Sequence, residues 1–153
     1  MYKGFILALV AMLPLQPVQA KPPASWDFRN WEEAVAQSTA EKKPLFIMFG
    51  YEDCQWCEHL YRRGMNDSGL EARYKQSVVL TYVDTKSNMP DREFVMPGGE
   101  RVTHAELIKR FQAYPTPSWV FISPKGALLH GNRNGKSTTR EMQLDVDKAL
   151  AKL

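Results

Sequence analysis

Two cysteines three residues apart, Cys54 and Cys57, stand between an apolar run and a stretch of helical character, and they are the only cysteines in the 153 residues. No other feature constrains the fold as much. Pro44 to Gly50 (PLFIMFG) is short, continuous and apolar, which by length and flanks predicts a buried strand rather than a helix. From Cys54 onward the sequence reads as helix to about Arg63, with Gly64 interrupting it. Positions i and i+3 share a helix face, so the two sulfurs can bond with little movement of the backbone. The first cysteine takes the open N-terminus, where free N–H groups and the helix dipole favour a thiolate, the attacking species in disulfide exchange. Cys54 is therefore the expected nucleophile, and Cys57, one turn further in, resolves the mixed disulfide.

Two other uses of the pair compete with this one. A bridge of four residues gains only about 2 kcal/mol from loop closure, against about 4.7 kcal/mol for a 100-residue loop, so a stabilising disulfide would join more distant segments. A structural zinc site needs four ligands. The three histidines, His59, His104 and His130, include no pair at H-x₃₋₅-H spacing.

The N-terminus places this chemistry in a compartment. Lys3 is the only charge in the first 20 residues, and Phe5 to Leu13 (FILALVAML) is an apolar run, followed by Pro14 and Pro17. Val18-Gln19-Ala20 sets small residues at the two positions a signal peptidase reads. These features predict a cleaved signal peptide over 1–20 and one domain over 21–153. A membrane anchor would need about 20 apolar residues, so no stable membrane insertion is expected after cleavage. Export leads to the periplasm, with secretion as the alternative, where disulfides persist. Hydrophobic content of 44%, charged content of 24% and a formal charge of +3 are those of an ordinary soluble protein. The scattered basic residues form no one-sided face, so nucleic acid is not an expected partner.

Along the remaining chain, Lys21 to Ser25 reads as a loose leader, and Asn30 caps a helix from Trp31 to about Ala40. Ser68 and Glu71 form a capping box for a short helix to Gln76. Val78 to Val83 is a second buried strand, rich in β-branched residues. Lys86 to Val102 is polar, and Phe94–Met96 and Arg101–Val102 could pair as a hairpin around Pro97-Gly98-Gly99. Thr103 and Glu106 open a helix to about Gln112. Ser118–Ile122 and Ala127–His130 are strands joined by the Pro124-Lys125-Gly126 turn. Thr138 and Glu141 open the last helix, with Leu144, Val146, Ala149 and Leu150 as its apolar face. Helices join the early strands, which favours a parallel pair, and the late strands form a hairpin. The fold class is α/β, a central mixed sheet sandwiched between helices.

Strand, Cys-x-x-Cys, helix, a second strand ending in Val83-Asp84, then Tyr114-Pro115-Thr116-Pro117 ahead of a strand and hairpin: from Trp31 to Leu150 this order resembles a thioredoxin. The longer connection before the Thr-Pro resembles the SoxW-like branch of periplasmic thioredoxin-related proteins. The resemblance implies a thioredoxin fold, a Cys54–Cys57 disulfide in the oxidised state, and a cis proline, here Pro117, facing that disulfide. A cis bond there would turn the Thr116 backbone outward to meet an extended substrate. Trp56, Thr116 and Pro117 are accordingly the candidate substrate-binding residues. On their own, Pro115 and Pro117 could equally end a helix and begin an edge strand.

The sequence departs from the family at two points. Met48 stands six residues ahead of Cys54, where many thioredoxins carry a buried Asp, and Gln55-Trp56 replaces the usual Gly-Pro. Glu52, Asp53 and Glu58 oppose a nearby thiolate, and no cation lies between the cysteines. A strong oxidant needs its reduced form unusually stabilised, so a reductant or isomerase-like donor acting on protein or small-molecule disulfides is expected, and the resemblance implies a membrane thiol donor that reloads it. No cofactor is expected. Two further functions stay open here: a periplasmic copper metallochaperone using Cys54, Cys57 and His59, since soft thiolates suit Cu(I), or a redox-silent interaction module gripping a partner through Lys86–Val102.

Overall fold

The computed structural model describes residues 20–135 and 137–153. Apart from Ala20, the expected signal peptide lies outside the described residues. The elements follow the order α1 (Trp31–Glu41), β1 (Leu45–Gly50), α2 (Gln55–Arg63), α3 (Ser68–Ser77), β2 (Val79–Asp84), β3 (Glu93–Val95), β4 (Arg101–Thr103), α4 (His104–Phe111), β5 (Ser118–Ile122), β6 (Leu128–Asn132) and α5 (Thr139–Leu150).

Every residue of β1 is buried, so successive side chains serve opposite faces of the sheet. Phe46 and Met48 enter one core with Leu60, Tyr74, Trp119, Phe121 and Val146. Leu45, Ile47 and Phe49 enter the other with Trp31, Leu107, Phe111 and Val120. Helices α2, α3 and α5 cover the first face, while α1, α4 and the β3–β4 hairpin cover the second. The sheet order is β2-β1-β5-β6. β1 and β2 are parallel, with Gly50 opposite Asp84. β5 runs antiparallel to β1, with Phe49 opposite Ser118, and β6 antiparallel to β5. This is a central mixed sheet flanked by helices, the thioredoxin fold.

Four local details depart from the sequence reading. Asp67, not Ser68, caps α3, because its carboxylate accepts the Leu70 N–H at 2.7 Å. The segment read as a leader makes a short 3₁₀ helix over Ala24–Trp26. Trp26 ends it fully buried, with Nε1–H donating to the Met65 carbonyl at 3.0 Å. On α5, Leu144 is exposed and Asp145 faces inward instead. Its carboxylate accepts from Trp119 Nε1 at 3.1 Å and Asn132 Nδ2 at 2.8 Å, and lies 2.7 Å from His130 Nε2. Lastly, β6 runs two residues past His130 to Asn132, because Asn132 pairs with Trp119 on β5.

The turn of the β3–β4 hairpin is held from two sides. The Glu100 carboxylate accepts a hydrogen bond from each terminal guanidinium nitrogen of Arg110 on α4, both at 2.7 Å. Gly98 in its turn and Gly126 in the β5–β6 turn have positive φ, and a side chain on either would run into the other turn's backbone carbonyl, that of Lys125 or Pro97. Among the described residues no helix is long and apolar enough to cross a membrane.

Candidate active site

β1 ends at Gly50, and three residues later the chain turns into α2 through Cys54. Cys54 has extended backbone angles and acts as the N-cap: its sulfur accepts the Cys57 N–H at 3.1 Å, and its carbonyl accepts the Glu58 N–H at 3.0 Å. Cys54 and Cys57 are joined in a disulfide with Cα atoms 5.2 Å apart. Cys57 has no exposed surface, whereas Cys54 keeps 3%. Approach from solvent is therefore to Cys54.

The antiparallel pairing of β5 with β1 brings the residues just ahead of Ser118 alongside Gly50 and the loop that follows it. Thr116 and Pro117 are both buried there, and Thr116 Oγ1 lies 3.4 Å from Cys54 Sγ. Two peptide bonds in this segment are cis, Thr116–Pro117 and Tyr114–Pro115; the second carried no separate signal in the sequence. Tyr114 is half exposed, its hydroxyl donating to the Thr85 carbonyl at 3.0 Å. Trp56 projects from the first turn of α2 with 55% of its surface exposed, its ring edge-on to His59 at 5.8 Å.

The charges around the nucleophile are not all as the sequence suggested. Glu52 and Asp53 are exposed in the loop. Glu58, however, pairs with Arg62 one turn on at 3.4 Å, which offsets its opposition to a thiolate. Lys86 adds a cation that sequence spacing did not place here: its ammonium sits 3.6 Å from the centre of the Tyr51 ring, in the loop entering the site. Met48 is fully buried in the same core as Cys57. Of the histidines, His104 Nε2 contacts the Asp84 carbonyl, His130 contacts Asp145, and His59 does not join the cysteines. Among the described residues no three His, Cys, Asp or Glu side chains converge as ligands for a metal ion.

The family model for a thioredoxin-like domain matches residues 31–143, from the first residue of α1 into α5. The chain belongs to the thioredoxin-like family. Solved structures agree on the fold. A thioredoxin from Thermus thermophilus superposes with a TM-score of 0.63 at 20% identity, over 82% of this chain and 88% of that one. A putative disulphide-isomerase from Bacteroides thetaiotaomicron gives 0.61 at 20% identity, over 80% and 91%. A DsbH oxidoreductase gives 0.61 at 17% identity, over 94% and 95%. Comparison with curated proteins gives no match. A Cys-x-x-Cys disulfide capping the helix after β1, on the thioredoxin-like fold, makes the chain a thiol–disulfide oxidoreductase.

Proposed function

We propose that this protein is an exported reductant: its Cys54–Cys57 dithiol reduces disulfides of protein substrates in the periplasm and is reloaded by a membrane thiol donor. The observation that carries the reading is the asymmetry of the pair, with Cys54 at the helix end beside Thr116 and Cys57 sealed behind it. Attack by the outer sulfur and resolution by the inner one follow from that asymmetry. Gln55 and Trp56 bring no cation between the cysteines, so the helix dipole and the Cys57 N–H are the main supports of a Cys54 thiolate. The names of the similar structures, a disulphide-isomerase and an oxidoreductase, fit the same chemistry. Export rests on the charge, apolar run and small residues of 1–20. Ala20 donates its N–H to the Glu52 carbonyl at 2.9 Å, so cleavage after it removes one tether of the active-site loop.

A glutathione titration tests direction. The reduction potential is expected nearer about −270 mV than about −120 mV, and a value above about −150 mV would make the protein an oxidant. N-terminal sequencing of the exported protein is expected to begin at Lys21; retention of residues 1–20 would remove the export step.

A further inference from the structure

On this reading Cys57 must become a thiolate inside the protein, because it attacks Cys54 in the mixed disulfide while having no exposed surface of its own. A buried thiolate is costly unless a donor reaches it. Its surroundings are largely apolar: Met48, Leu60 and Met65 belong to the same core. The Tyr82 hydroxyl is close by, without a hydrogen bond to the sulfur in the disulfide state. A side chain starting on Gly50 would stand 3.1 Å from Cys57 Sγ and equally 3.1 Å from Tyr82 Oη, so twice that distance is the most that can separate the two atoms. The bare α-carbon of Gly50 is what lets both approach. Behind Tyr82 stands Tyr61, one turn after Cys57 on α2. The Tyr61 hydroxyl is sealed from solvent without a partner at full hydrogen-bonding geometry, and the Tyr82 hydroxyl is its neighbour.

We propose that the Tyr82 hydroxyl, positioned by Tyr61, donates a hydrogen bond to the Cys57 thiolate and so supports the resolving step; the proposal rests on the exchange reading above. In the first step the Cys54 thiolate attacks the substrate disulfide, forming a Cys54–substrate bond and expelling one substrate thiolate. Cys57 then gives up its proton and its thiolate attacks Cys54 Sγ. The Cys54–Cys57 bond forms, the Cys54–substrate bond breaks, and the departing thiolate takes up a proton. Two electrons pass from the protein dithiol to the substrate disulfide. Tyr82 stays a phenol throughout. Burial first, and then the Asp84 carboxylate, push its ionisation well above the usual phenol range, while Tyr61 opposes and Glu52 adds to the rise. Burial, then Tyr82, does the same for Tyr61. The elements that carry the pair hold Glu52 and Asp53 in the loop, Glu58 and His59 on α2, and Asp84 and Lys86 around the end of β2; of these, the Asp84 and Glu52 carboxylates act on Tyr82. The hydrogen bond belongs to the reduced protein, in which the Cys57 sulfur carries the charge that strengthens it.

Rapid mixing of the reduced protein with dithiobis-nitrobenzoate separates the steps, since attack and resolution each release one coloured thiolate. In Tyr82→Phe, which keeps the ring, the second release is expected to slow about tenfold at neutral pH. Its pH midpoint should rise by about one pH unit, while the first release keeps its rate. Tyr61→Phe is expected to move the second phase in the same direction by less. A second phase with unchanged rate and midpoint in Tyr82→Phe overturns the proposal, and so does equal slowing of both phases, which would mark a structural effect. If the wild-type protein releases no thiolate in two steps, the exchange reading itself fails, and this proposal with it.

Discussion

The Cys54 sulfur has two donors at hand, the Cys57 N–H at 3.1 Å and the Thr116 hydroxyl at 3.4 Å. Once the disulfide is reduced, both can serve the thiolate. A hydrogen bond to a charged group contributes about 1.5–3 kcal/mol, roughly one to two pH units of thiolate ionisation. Thr116→Val keeps the shape and removes the hydroxyl, so thiolate absorbance is expected to appear at least about one pH unit higher; an unchanged titration would show that Thr116 does not support Cys54. Of these contacts, only the cysteine pair was legible in the sequence. Their spacing alone places both sulfurs on one helix face, because the chemistry is local. The sequence points to the Thr116 backbone, whereas the structure sets its hydroxyl beside Cys54. Likewise, Lys86 over Tyr51 and Tyr82 beside Gly50 are products of sheet register, which no local pattern encodes.

Among the elements, helix starts were the clearest signals. Asn30, Thr103 and Thr138 cap as read, each accepting a backbone N–H three residues on, because capping involves only neighbouring residues. At α3 the cap lies one residue earlier than the Ser68–Glu71 pattern indicates, since Asp67 competes with Ser68 for the same role and accepts the Leu70 N–H at 2.7 Å. Helix α5 was harder. Apolar spacing favoured Leu144 on the inner face, but Trp119, Asn132 and His130 present polar hydrogens or ring nitrogen to that side and draw in Asp145. Such a network shows only when β5 and β6 are already in place. Removing the carboxylate strands its buried donors, each costing about 1–3 kcal/mol. Asp145→Ala is therefore expected to lose about 3 kcal/mol in a denaturant titration, and a loss under about 0.5 kcal/mol would mean that the network contributes nothing to stability.

Over the whole molecule, two apolar cores press on one four-stranded sheet, and the site forms where three chain segments meet on one side of it. β1 delivers the loop to Cys54, α2 supplies the helix end, and β5 begins just after Thr116-Pro117. The parallel pairing of β1 with β2 and the β5–β6 hairpin followed from the sequence, because helical connections favour parallel neighbours and a short turn favours a hairpin; the pairing of β5 with β1 did not. The buried Trp26 did not, since its place depends on the Met65 carbonyl well along the chain. In the proposed function Cys54 attacks and Cys57 resolves, and the reductant reading depends on that order. Trapping tests it most directly: reduced Cys57→Ser and Cys54→Ser proteins are each incubated with a disulfide-containing protein such as insulin, alkylated, and mapped by mass spectrometry. Mixed disulfides are expected on Cys54 in Cys57→Ser and few or none in Cys54→Ser; adducts accumulating mainly on Cys57 would contradict the assignment.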